Sequence, residues 1–226
     1  MKSINIYINE ALKLGKPRYN YHYQPKTKQE LKKLLKQLIK ERGNEGDFND
    51  IDTSKITDMS SLFEGTNFNG DISRWDVSQV EEMGYMFYKC ESFNKDISKW
   101  NVSNVTNMEG MFGHCYEFNK DISKWKVSTV KDMGYMFYNC INFNQDISKW
   151  NVSNVINMGY MFYDCINFNQ DISKWDISKV EYMRCMFSGC KSFNQDISKW
   201  NVSNVTNNTD MFYDCSLKEK YKPKFK

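Results

Sequence analysis

The sequence predicts an α/β solenoid: a right-handed stack of coils with parallel strands on one wall, short helical turns on the other, and a helical cap at the N-terminal end. Two observations carry most of that expectation. Trp75, Trp100, Trp125, Trp150, Trp175 and Trp200 stand 25 residues apart, and Cys90, Cys115, Cys140, Cys165, Cys190 and Cys215 keep the same step. A fixed period of this size marks a unit that buries its apolar face only against its neighbours. The third observation is a change of hydrophobic period within each unit.

One unit, residues 143–167, reads F-N-x-D-I-S-K-W-x-V-S-x-V-x-x-M-x-x-M-F-x-x-C-x-x. Trp150 and Val152 are two apart, the strand period, and β-branched Ile147 and Val155 lie close by. A short strand around Ser148 to Ser153 is expected. Val155, Met158, Met161, Phe162 and Cys165 then fall at steps of three and four, which suits a single α or 3-10 turn carrying the chain back. Strands of successive coils would pair about 4.8 Å apart, so that six full coils make a stack on the order of 30 Å long. No proline interrupts residues 26 to 222.

Three regions follow. Residues 1–46 form a basic N-terminal cap, residues 47–215 the repeats, with a degenerate first coil, and residues 216–226 a basic tail. The net charge of +3 hides an acidic repeat region between two basic ends. Thr27-Lys28-Gln29-Glu30 has the form of a capping box, and Leu31, Leu34, Leu35, Leu38 and Ile39 mark the apolar stripe of a helix over about residues 27–42. That stripe suits a lid over the open first coil, with Lys28, Lys32, Lys33, Lys36 and Lys40 on the other face. Ile4, Ile8, Ala11 and Leu12 suggest a further short helix, and Tyr19, Tyr21 and Tyr23 a short strand. Asn208 replaces a repeated methionine in the last coil, while Tyr221 and Phe225 are available to cover it or to remain mobile.

The composition argues against most chemistry. One cysteine per coil, without a C-x-x-C pair or clustered histidines, reads as a buried column of reduced thiols, with Cys185 outside it and expected to be exposed. The recurring Asn69 to Asn194, Asp71 to Asp196 and Ser73 to Ser198 read as turn residues bonding to backbone, because a calcium roll needs glycine-rich turns. His22 and His114 are the only histidines, and no nucleophile–base set or phosphate loop breaks the period. No catalytic residue, cofactor or metal is expected.

The unit D-I-S-K-W-N-V-S-N-V-x-N-M-x-x-M-F-x-x-C-x-x-F-N resembles the BspA-type leucine-rich repeat, also called the bacterial surface protein repeat, over about three quarters of the chain. The resemblance implies a leucine-rich-repeat-like stack with a role in binding or adhesion, and it brings no catalytic residues. Members are often exported or surface-anchored. This sequence shows neither an apolar membrane-spanning run nor a signal-peptide pattern, so a cytoplasmic or virion-associated location is expected.

Two repeating surface features are candidate binding residues. Arg74, Lys99, Lys124, Lys149, Lys174 and Lys199 place one cation per coil beside the tryptophan, suited either to an acidic partner or to protecting an exposed strand. Tyr85, Tyr88, Tyr135, Tyr138, Tyr160 and Tyr163 form a tyrosine-rich set interrupted at Gly110, Gly113, Cys185 and Ser188, which suits binding or packing between coils. The expected function is a monomeric, non-enzymatic protein-binding module. Adhesion at a cell surface or on a phage particle, and nucleic-acid association through the basic ends, are the alternatives.

Overall fold

The computed structural model describes residues 21–225. The expected upstream helix and the Tyr19 end of the expected strand lie outside the described residues. The helical cap is present as α1, Lys28–Arg42. Its N-cap Thr27 accepts from the Glu30 N–H at 3.2 Å, and the Glu30 carboxylate accepts from the Lys26 N–H at 2.7 Å. Gly43, at φ 75°, ends the helix in a conformation that glycine adopts without strain. Leu31, Leu35 and Leu38 are buried against the first coil, and Lys28 reaches down to Asp58 and Ser60.

Beyond α1 the chain winds as stacked units, but not as an α/β solenoid. Among the described residues there is no sheet, only isolated parallel bridges, and the one further helical element is a 3-10 turn at Glu219–Tyr221. The strand expected at Ser148 to Ser153 is absent because its backbone donors are spent locally. The Ser148 N–H goes to the Asp146 carboxylate, the Trp150 N–H to the Ile147 carbonyl and the Val155 N–H to the Val152 carbonyl. Two reverse turns in succession leave no row of donors for a ladder.

Contacts between backbones lie on the other side of the unit, where a helical turn was expected. There the donors alternate. The N–H groups of Met158, Tyr160, Phe162 and Asp164 donate to the next unit, at Tyr182, Arg184, Met186 and Ser188. Those of Met161, Tyr163 and Cys165 close turns onto residues three before them. Tyr160 and Asp164 have φ of 58° and 52°, and such left-handed residues reverse the chain before a helix can propagate. Pairing is thereby limited to one bridge per unit, such as Asn157↔Tyr182. The bridges also expose a slip in the period: Asp58↔Glu82 spans 24 residues, whereas Glu82↔Asn107 spans 25.

The core is a set of apolar columns. Phe112, Phe137 and Phe162 stack with ring centroids 5.8 and 5.7 Å apart, and Phe143 lies 3.9 Å from Phe137 within the same layer. Each indole N–H is spent on the unit before it, as when Trp125 donates to the Ile97 carbonyl at 3.2 Å. The column thiols donate likewise, Cys140 to the Phe112 carbonyl at 2.8 Å. Cys185, expected to be exposed, is buried. At the far end the tail covers the last unit: Leu217 is buried, Tyr221 and Phe225 pack on the core, and the Tyr221 carbonyl accepts from the Ile197 N–H.

Candidate binding surface

Every unit has two left-handed residues, and the first of them aims the tyrosines. Tyr85, Tyr135 and Tyr160 have φ between 55° and 58°, and Tyr88, Tyr138 and Tyr163 follow one turn later. Tyr135 stacks on Tyr160 at 4.6 Å, and Tyr138 on Tyr163 at 4.8 Å. Tyr138 also lies 5.7 Å from Tyr135, so the four rings form one block.

The glycines do not interrupt this surface. A Cβ at Gly110 would stand 2.6 Å from the Tyr85 ring, and one at Gly113 would stand 2.7 Å from the Tyr88 ring. Those rings therefore lie across the glycines of the following unit. His114 completes the connection, 5.4 Å from Tyr88 and 5.0 Å from Tyr138. Arg184 extends the far side, with its guanidinium 5.8 Å from the Tyr160 ring centroid. His114 was not among the residues singled out, although it occupies the second left-handed position of its unit, in column with Lys89, Asn139 and Asp164. That column is defined by its backbone and not by a shared residue type, so the sequence held no signal for it.

The wall is half-buried, which sets its chemistry. Burial pushes the hydroxyls of Tyr135, Tyr138 and Tyr160 up, and at Tyr85 a hydrogen bond to Glu109 adds to burial. At Tyr163 the neighbouring Asp164 charge is the main cause. All five stay protonated near neutrality and present apolar ring faces with hydroxyl donors. Burial, then the Lys89 charge, lowers His114, so its imidazole is neutral there.

Arg74, Lys99, Lys124, Lys149, Lys174 and Lys199 are exposed, on the Asp-Ile-Ser-Lys-Trp segment and apart from the tyrosines. Each has an aspartate three residues before it, and in the regular units that carboxylate is held below its usual range by the serine two residues on, its side chain first and then its backbone N–H, with the lysine as a lesser cause. The row thus carries both signs. Among the described residues no group of three or more His, Cys, Asp or Glu is placed to hold a metal ion, and no helix is long and apolar enough to cross a membrane.

No curated protein and no solved structure matches the chain. A family model described as "Mycoplasma protein of unknown function, DUF285" matches it twice, over residues 30–142 and 114–224. The two matches overlap in the middle units and together take in α1, the stacked units and most of the tail, as expected when one repeat pattern runs through the whole. The chain belongs to the DUF285 family.

Proposed function

We propose that this protein is a non-enzymatic protein-binding module and that the wall from Tyr85 to Tyr163 is its contact face. The observation that carries the reading is the stacked block of Tyr135, Tyr138, Tyr160 and Tyr163, rigid because each ring rests on another and half-exposed because nothing among the described residues covers the outer faces. Tyrosine held in place offers large contact area at small entropic cost, the property that makes it common in contact surfaces. The resemblance of the unit to the BspA-type repeat supports the same reading.

The test uses a substitution that the chain itself supplies. Ser188 stands where the neighbouring units have Tyr163 and Tyr213, so serine is compatible with the backbone there. The double variant Tyr138→Ser/Tyr163→Ser should fold with a similar melting transition. In quantitative pull-downs from host lysate it should lose partner retention by about 30-fold, the effect of removing contacts worth about 2 kcal/mol. Undiminished retention of the same partner would reject this wall as the contact face.

A further inference from the structure

A second surface lies along the Phe-Asn turn of each unit. Asn69, Asn94, Asn119, Asn144, Asn169 and Asn194 form a ladder: each Oδ1 accepts the backbone N–H of the residue that follows it in the column, at 3.0 to 3.2 Å. The ladder fixes every amide, since the oxygen must face the next unit's N–H. The nitrogens are then left over. At Asn94, Asn119, Asn144, Asn169 and Asn194 the Nδ2 group has no hydrogen-bond partner among the described residues, which gives one oriented donor per unit in a straight row.

What such a donor takes is visible at the start of the row. The Asn69 Nδ2 group donates to both oxygens of Glu45, at 2.9 and 3.0 Å, and Lys95 pairs with the same carboxylate at 3.1 Å. Further along, the row borders a shallow, open depression lined by Asn94, Glu117, Asn119, Asn142, Asn144 and Asn167. The outer residues supply acceptors as well as donors: Glu117 accepts from Asn142 at 3.3 Å and keeps lone pairs free. Next to Glu117, Asn142 and Asn167 in the chain stand the half-buried Tyr116 and Ile141 and the exposed Ile166, 39% accessible.

We propose that this depression binds a linear, neutral oligosaccharide. A sugar hydroxyl both donates and accepts, matching a floor of amides with one carboxylate. A repeating ligand suits donors repeated once per unit, and Ile141 and Ile166 offer nearby apolar surface for the C–H faces of sugar rings. An extended peptide is disfavoured because the open surface offers no pockets for its side chains.

The test separates donor from scaffold. In Asn119→Asp/Asn144→Asp each Oδ1 that caps the next backbone N–H is kept, while the Nδ2 donor is removed. Maltohexaose, cellohexaose and laminarihexaose are titrated against the full chain, read by calorimetry and by the side-chain amide signals of Asn94, Asn119 and Asn144. At least one hexaose should bind saturably and shift those signals, and the variant should lose about tenfold in affinity. Three results overturn the proposal: no shift with any hexaose, equal binding by the variant, or shifts produced only by an uncharged extended peptide run in parallel.

Discussion

The Trp150 indole N–H donates to the Ile122 carbonyl, 28 residues before it, at 3.1 Å. The same carbonyl already accepts the Trp125 N–H at 3.1 Å, so one oxygen closes a turn in its own unit and receives the indole of the next. This bond repeats along the stack from Trp100 to Trp200 and ties packing to backbone satisfaction.

Trp150→Phe keeps most of the ring and removes the bond, so it should cost about 1–2 kcal/mol. Trp150→Ala adds a cavity in a core with neighbours on both sides and should cost about 3–5 kcal/mol. Chemical denaturation of the two variants checks the order. Equal costs would mean that the indole N–H contributes nothing.

Asp96, Asp121, Asp146 and Asp171 have their carboxyls lowered chiefly by the side chain of the serine two residues on, whose backbone N–H each also accepts. A lowered folded value means stability that is present above the ordinary aspartate range and is lost as the pH falls through the lower folded value. The melting temperature should therefore hold near neutrality and fall below about pH 4. Each group is well exposed, so the loss builds from several small contributions. Asn151 makes the same contact with Ser153 at 3.1 Å. Asp146→Asn should accordingly keep the fold and flatten the acid limb of the melting profile.

Cys115, Cys140, Cys165 and Cys190 are fully buried, and burial raises their thiols well above the ordinary value. Cys215 is only half-buried, and its rise is smaller. Native alkylation at pH 8 should reach Cys215 first and leave those four unmodified, whereas all seven cysteines react in denaturant. Mass spectrometry showing Cys140 modified before Cys215 would contradict this packing.

The ends of the stack are complementary. At the first unit the carbonyls of Asp58, Ser60, Leu62 and Glu64 have no backbone partner among the described residues, and at the last unit the N–H groups of Asn208, Asp210, Phe212 and Asp214 have none. These are the two halves of the contact that every internal unit makes. Lys28 and Lys32 of α1 reach Asp58, Ser60 and the Ser61 carbonyl, which places the helix over the acceptor end. Deleting residues 1–43 should open that end and give head-to-tail, concentration-dependent oligomers. Light scattering on a variant that still unfolds cooperatively checks this, and a monomer at every concentration would refute it.

The sequence by itself determined the stack and its core. The 25-residue step required each unit to rest on the next, and Trp150, Val152, Met158, Met161, Phe162 and Cys165 are all buried as their periodicity implied. It also determined α1, because Thr27, Glu30 and the leucine stripe act through contacts within a few residues. What only the tertiary structure decided was how the backbone is satisfied. Trp150 and Val152 carry strand spacing, yet Trp150 closes one reverse turn and Val152 opens the next, and the Asp146 side chain takes a donor that a strand would have used. Left-handed Tyr135 and Tyr160 look in sequence like ordinary tyrosines. Stacking of ring on ring between units supports that backbone, and an interaction between residues 25 apart leaves no mark in the local pattern. The tyrosine wall was therefore legible as a composition, but its continuity through Gly110, Gly113 and His114 depended on rings reaching across to the next unit.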